Sequence, residues 1–293
     1  MESGKLGPMR FGLFAVNMYA CADGATAATV ARHAEAAGFE SLWAGEHVVL
    51  PSPRVAPSPM EPQDPALDPL LALTWLAAAT TTIRLATGIV ILPQRNAVVL
   101  AKQVATLDVL SAGRLDLGIG AGYLEPEFRA IGAPFEDRGR ATDELVAAMR
   151  SLWGDEHPEF HGTHADFAGV DAHPRPMQRA GADGTAGVPI VVGGHSPAAF
   201  RRAVSSAQGW YGFALNEAGT QHCLDGLRVA AAQVERPAWL GPLKITVTPA
   251  AIIDAASLDR WTALGVDRLV VLPPATADAT QLLRIVDHLA PLT

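Results

Sequence analysis

Two cysteines, Cys21 and Cys223, are all that 293 residues contain. That is too few for a disulfide framework. Neither lies in a CxxC or a Cys/His spacing that would hold zinc, so both read as ordinary thiols. Charge is also scarce, at 18% of residues, with a formal net charge of −8 and no block rich in Lys and Arg. A polyanionic nucleic acid is therefore not the expected partner. No apolar run reaches membrane-spanning length, and no segment has the basic start and apolar middle of a signal peptide, so no membrane partner is expected and the chain reads as cytoplasmic.

Apolar residues are plentiful, at 49%. A chain of this length can form one large α/β domain or two ordinary ones, and the composition favours one compact unit with many internal strands. Residues 1–8 (MESGKLGP) are small, polar and rich in breakers, and read as a tail outside a domain spanning 9–293.

The chain is organised around Ile83 to Phe128. Leu85 to Leu92 is an apolar run ended by Pro93, which reads as a strand buried on both faces. Val99, Leu100, Val104, Leu107, Val109 and Leu110 then recur at helical spacing, and Gly113 stands where a left-handed residue closes a helix. Leu115, Leu117 and Ile119 alternate into Gly120, Ala121, Gly122 and Tyr123. This β-α-β unit ends in a glycine-rich mouth, where the glycines either admit a flat ligand close to the backbone or simply make a tight turn.

The same alternation runs along the whole chain. Strands are expected at Phe11 to Val16, Phe39 to Ala44, Pro189 to Gly193, Gly209 to Phe213, Lys244 to Val247 and Arg268 to Leu272. Helices are expected at about Thr26 to Ala37, Leu70 to Thr80, Arg138 to Trp153, Ala198 to Ser206, Gln221 to Val234, Ile252 to Leu264 and Ala279 to Leu289. Eight such repeats indicate a (β/α)8 barrel, the α/β TIM-barrel fold, rather than an open sheet. Val48 to Pro69 holds seven prolines and no period, so it reads as a long loop after the second strand, of the kind that covers a site. Glu159 to Val170 reads as a small inserted hairpin. Its neighbourhood carries His157, His161, His164 and His173, spaced around a turn rather than along one face, and no metal is expected there.

Ligands of parallel barrels bind at the C-terminal ends of the strands. Three groups fall there. Glu46 and His47 follow strand two, and the Gly120 to Tyr123 mouth ends the central unit. Gly193-Gly194-His195-Ser196 opens a helix with Ser196 as its cap and Pro197 at the first helical position, an arrangement that suits a phosphate. Trp43, Tyr123 and Trp210 stand where aromatics wall an apolar substrate pocket, although aromatics beside strands also serve simply as core. Of these, Trp43 and Trp210 are taken as substrate candidates.

The motifs SLWAGEHVVLP, IRLATGIVILPQRNAVVLAKQVATLDVLSAGRLDLGIGAGYLEPEF, FHGTHADFAGVDAHPRPMQ and PIVVGGHSPAAFRRA together resemble the bacterial-luciferase-like superfamily of flavin and deazaflavin oxidoreductases, from Met9 onward. The combination is most similar to the branch that uses coenzyme F420. The resemblance implies a hydride transfer between F420 and a small uncharged substrate such as a ketone or alcohol, an enone or a nitro compound. FMN with oxygen, as in the monooxygenases of the superfamily, is the alternative cofactor chemistry, and a non-catalytic flavin-binding protein is a further one. It implies that Thr87, Gly88 and Ile89 form a bulge with a non-proline cis peptide behind the cofactor ring. Gly120, Ala121, Gly122 and Tyr123 would line the ring's polar edge, and Gly193, Gly194, His195 and Ser196 would hold the phosphate. His47 would be the proton donor or acceptor, with Glu46 setting its tautomer, although alternation along a strand sends neighbours to opposite faces and favours His47 as the one in the cavity. Sugar-phosphate dehydrogenases of the superfamily carry an acid directly after the glycine-rich strand, where this chain has Tyr123 and Leu124. The resemblance also implies a homodimer and a separate enzyme that reduces the cofactor.

Overall fold

Near-continuous apolar runs form strands when both faces of the sheet are covered, and closure into a barrel supplies that cover. The computed structural model describes residues 9–181, 184–251 and 253–293. The first half runs β1 (Arg10–Phe14), α1 (Gly24–Ala36), β2 (Ser41–Ala44), α2 (Pro69–Ala79), β3 (Arg84–Thr87), β4 (Val90–Ile91), α3 (Ala97–Leu110) and β5 (Leu115–Gly120). Next come α4 (Glu125–Ile131), α5 (Arg138–Gly154), β6 (Phe160–His161) and β7 (Asp166–Phe167). The last part runs β8 (Ile190–Gly193), α6 (Pro197–Ser206), β9 (Gly209–Leu215), α7 (Glu217–Gln233), β10 (Lys244–Pro249), α8 (Ala255–Ala263), β11 (Arg268–Val271) and α9 (Ala279–Leu289).

The ring closes in the order β1, β2, β3, β5, β8, β9, β10, β11 and back to β1, with every pairing parallel. The expected (β/α)8 barrel is therefore the fold. Outside it, β6 and β7 pair antiparallel as the expected hairpin. Residues 1–8, read as a tail, lie outside the described residues. Among the described residues, no helix is long and apolar enough to cross a membrane.

Two apolar layers hold the barrel. Leu13, Leu42, Leu85, Leu117 and Val192 face the helices, while Phe14, Trp43, Ala86, Val191, Tyr211 and Val270 pack together in a second cluster. Charges meet at the N-terminal ends of the strands. Arg84 pairs with Asp116, and the Arg268 guanidinium lies 2.6 Å from Glu40 and 3.5 Å from Asp116. It also lies 5.5 Å from the centroid of the Trp43 ring, so the apolar cluster and the ion network are stacked.

Side-chain caps start the helices by accepting otherwise orphan N–H groups: Asp23 for α1, Asp68 for α2, Asn96 for α3 and Ser196 for α6. Gly113 follows α3 with φ +79° and accounts for that stop.

Four expectations change. The run Leu85 to Leu92 is two strands, not one, broken at Gly88-Ile89, whose peptide bond is cis as the resemblance implied. Thr87 Oγ1 donates to Gly118 O at 2.6 Å, and β4 resumes pairing with β5 at Val90 and Ile91. A helix, α4, stands where none was read; seven residues ended by Gly132 at φ +78° are too short to show a helical period. The seventh-repeat helix begins at Ala255; Ile252, the start expected for it, lies outside the described residues. In α3, Leu100, Val104 and Leu107 are buried, but Val99, Val109 and Leu110 are exposed, because spacing alone cannot tell which apolar residues the core has room for.

Gly118 tests the packing of the break. A Cβ there would lie 1.8 Å from Thr87 O, a backbone atom with nowhere to go. Gly118→Ala should cost about 3 kcal/mol or more in thermal or denaturant unfolding. Gly132→Ala meets nothing within 4 Å and should lose only about 1 kcal/mol, the cost of a left-handed alanine. Equal losses at the two positions would show that the Thr87 contact does not constrain the barrel.

Candidate active site

Strained backbone gathers at one end of the barrel. Among the described residues, four non-glycine residues have positive φ, and Ala15, Tyr19 and Ala214 all lie at or just beyond the C-terminal ends of β1 and β9. Such strain persists where surrounding structure over-determines it, which is common at functional sites. The glycine-rich turns after β5 and β8 open at the same end.

The floor of this mouth is Ile89. The side chain is partly buried and sits between glycines: a Cβ on Gly120 would come within 2.5 Å of it, and one on Gly193 within 2.9 Å. The glycines therefore admit the bulge itself, a closer constraint than the ligand approach inferred from the pattern. Gly122, at φ +79°, turns the chain out of β5, its carbonyl accepting from Arg138 Nε at 3.1 Å. Ala121 is half-buried beside it, and Tyr123 is exposed at the edge.

Glu46 and His47 part company. Glu46 is buried; it accepts the Ile91 N–H at 2.5 Å and is held by Arg95, which also reaches Asp68 at 2.8 Å. Burial pushes the Glu46 carboxyl up from its usual value, while Arg95 and the Ile91 N–H pull the other way. The expectation that Glu46 sets the His47 tautomer is thus corrected, because its oxygens are committed to β4 and Arg95. The carboxylate beside His47 is Glu127, from α4. Its Oε2 lies 3.4 Å from His47 Nδ1, and its Oε1 accepts the Val48 N–H at 2.6 Å. His47 is 9% exposed at its side chain and Glu127 is fully buried.

Glu127 was missed because α4 was missed. The available signal was the acidic pair Glu125 and Glu127 following the glycine mouth.

Three other expected contacts are corrected by burial. Thr87 has no exposed surface and spends its hydroxyl on Gly118. Trp43 is fully buried, donating to Ser41 Oγ at 2.8 Å with its ring 4.9 Å from Tyr211. Trp210 is fully buried too, and its indole N–H donates to Gly194 O at 2.9 Å. Both tryptophans brace the site from behind and offer no surface to a substrate.

At the α6 end, Gly194 is exposed with φ +123° and Ser196 Oγ accepts the Ala199 N–H. The turn thus presents bare backbone at the positive end of a ten-residue helix. His195 Nε2 accepts the Phe213 N–H at 3.2 Å, tying the turn to β9.

The loop between β2 and α2 lies over the mouth. Met60 is buried in the same inner cluster as Phe14, Met18 and Trp43, and Leu50 and Ile89 pack against that cluster. Asn17, wholly buried, donates to Gly45 O at 2.8 Å and Leu67 O at 2.7 Å, so one side chain fixes both the turn before Glu46 and the end of the loop.

The hairpin histidines do something else. His161 pairs with Glu159 and Asp166, His164 with Asp137, and His173 with Asp171. Among the described residues no group of three or more His, Cys, Asp or Glu is placed to hold a metal.

Residues 9–279 match the family described as luciferase-like monooxygenase. The chain belongs to that family. An uncharacterized protein of Mycobacterium tuberculosis, Rv0953c, is 33% identical over 211 residues, covering 69% of this chain and 71% of that protein. The FMNH(2)-dependent dimethylsulfone monooxygenase of Pseudomonas putida is 32% identical over 161 residues, covering 54% of this chain and 42% of that one. An F420-dependent secondary alcohol dehydrogenase, solved with an F420-acetone adduct, superposes with a TM-score of 0.74 at 15% identity, covering 98% of both chains. The proteins similar to this chain thus include both an FMN-dependent and an F420-dependent enzyme.

His195 gives the site a pH signature. Burial lowers its pKa from the ordinary 6.5, so the folded state favours the neutral ring that accepts from Phe213. The stabilisation from this bond is present above pH 6.5 and is lost as pH falls through the lowered value. Amide exchange at Phe213, corrected for intrinsic rate, should accelerate on going from pH 7 to 5. In His195→Ala it should be fast and insensitive to pH, and a wild-type rate that stays flat would refute the assignment.

Proposed function

We propose that this luciferase-like oxidoreductase transfers hydride between coenzyme F420 and a small uncharged organic substrate, a ketone or alcohol, an enone or a nitro compound. The observation that carries the reading is His47: a nearly buried imidazole at the C-terminal end of β2, backed by a buried carboxylate. A hydride added to the carbon of a C=O leaves negative charge on oxygen, and His47 supplies the proton that makes the alcohol. In the reverse direction it takes that proton back. An imidazole is suited to both because its two forms interchange near neutral pH.

The residues at the mouth fit a flat, phosphate-bearing cofactor. Gly88 and Ile89 would support one face of its ring, and Gly120, Ala121, Gly122 and Tyr123 would follow the edge. Gly193, Gly194, His195 and Ser196 would take the phosphate at the start of α6, where bare backbone is exposed. Reduced F420 supplies the hydride when bound. Leu50 and Tyr123 give the entrance apolar surface, while Arg95 is already engaged by Glu46 and Asp68 and Arg138 by the Gly122 carbonyl. That composition favours an uncharged substrate.

A second reading, an FMN-dependent monooxygenase using reduced flavin and oxygen, is favoured by the similarity to the Pseudomonas enzyme. A non-catalytic flavin binder is less well supported, because nothing in binding alone calls for the buried His47 and Glu127. Titration of cofactor-free protein with F420 and, separately, FMN decides between them. The first reading expects micromolar or tighter F420 binding, about −8 kcal/mol, with FMN at least tenfold weaker. It also expects His47→Ala to lower turnover by on the order of 10²-fold or more. Preference for FMN with oxygen consumption selects the second reading. Binding with no turnover of any carbonyl, enone or nitro compound selects the third, and binding of neither cofactor refutes all three.

The proposal includes a homodimer and a separate enzyme that reduces F420. Leu71 and Trp75 of α2 and Val99 and Leu110 of α3 present large apolar side chains to solvent, with Leu71 73% exposed, and a second copy of the chain would cover them. Light scattering should give twice the chain mass for the wild type and a monomer for the double variant Leu71→Glu, Leu110→Glu. A monomeric wild type would remove the dimer.

A further inference from the structure

We infer that Glu127 is the positioning residue of this site: it holds His47 as the tautomer with its proton on Nδ1, leaving Nε2 as the nitrogen that exchanges a proton with substrate. The role of Nε2 rests on the hydride-transfer reading above, whereas the tautomer rests on geometry alone.

Glu127 has no solvent exposure at its side chain. One oxygen is satisfied by the Val48 N–H. The other, Oε2, has no hydrogen-bond partner among the described residues, and neither has His47 Nδ1, 3.4 Å away. Two buried polar atoms facing each other with no other partner are complementary only if one carries the hydrogen. A buried carboxylate demands a donor, and burying it without one is costly. Nδ1–H is the donor that the fold places there. The distance is long for a hydrogen bond, as such bonds often are before substrate binds.

The other charged and titratable groups around His47 do not compete for this role. Glu46 is turned to Arg95 and Ile91, and Arg95 is shared between Glu46 and Asp68. Tyr123 presents its ring at 85° to the imidazole with centroids 6.3 Å apart. The phenol's pKa is raised by burial and by the charge on Glu127.

The chain order conceals the pair. Glu127 lies 80 positions after His47 and comes from a seven-residue helix after β5, yet it holds the first N–H of the long loop as well as the ring. Proton transfer and the start of the loop are therefore built on one carboxylate. A misplaced or mis-tautomerised imidazole loses most of its catalytic power even where everything else stays in place.

The test uses the full chain with histidine labelled by ¹⁵N, free of cofactor and substrate, at a pH where the ring is neutral. The His47 signals are identified by their loss in His47→Gln. Wild type should show a protonated Nδ1 and a bare Nε2, and Glu127→Gln should shift the ring toward the Nε2–H form. A wild-type ring protonated on Nε2, or a tautomer unmoved in a folded Glu127→Gln, overturns the assignment; the wild-type spectrum decides alone if that variant does not fold. With the substrate in hand, Glu127→Gln should lower kcat by on the order of 10²-fold while KM changes by a few-fold. A change confined to KM would remove the positioning role. Because the spectra need neither cofactor nor turnover, failure of the hydride-transfer reading is seen separately from failure of this one.

Discussion

The mouth of this barrel depends on a close approach that only glycine permits. Gly118 lets the Thr87 carbonyl lie against β5, and Gly120 and Gly193 leave room for the Ile89 side chain. With a Cβ at any of these positions β3 would have to run straight into β4. The break also leaves the Ile91 N–H facing β2 beyond the end of that strand at Ala44. Glu46 answers it with a side-chain oxygen, in effect extending the pairing by one more bond. The floor of the site, the placement of Glu46 and the turn that presents His47 are consequences of one packing solution.

Two buried carboxylates at this end have different tasks because they meet different partners. Glu46 is matched by a guanidinium and a backbone N–H, and its charge is used up in holding β2, β4 and Asp68 together. Glu127 is matched by one backbone N–H and an imidazole, so half of its capacity points at the His47 ring. Removing either partner would leave an unpaired buried charge, a severe penalty in both cases. Only the second arrangement faces an imidazole.

The sequence was most legible where a residue's role is local. Strand runs, the N-cap at Ser196 and the left-handed stop at Gly113 follow from composition and order along a few positions. The barrel followed from their repetition. The site was legible in part: the resemblance pointed to the cis bond at Gly88-Ile89, while the different partners of Glu46 and His47, both beyond the end of β2, came only from the structure. Partners far apart in the chain were not legible. Nothing near Glu127 in sequence says that it meets His47, and nothing near Trp43 or Trp210 says whether an aromatic side chain ends as wall or as core. The same holds for Val99 and Leu110, since an apolar stripe records that a surface is to be covered without recording by what.

The long loop is pinned at both ends, and between them Met60 is buried in the inner cluster. Glu127 holds its first N–H, Asn17 holds Leu67, and Arg95 holds Asp68, all from the barrel frame. A segment whose ends are already fixed adds little cost as it lengthens, about 0.6 kcal/mol for each doubling. The covering of the mouth can thus be lengthened by insertion around Met60 at small cost. Change in the covering of the mouth then has a route that leaves Glu46, His47 and Glu127 in place, and the positions between Val48 and Leu67 are its natural unit.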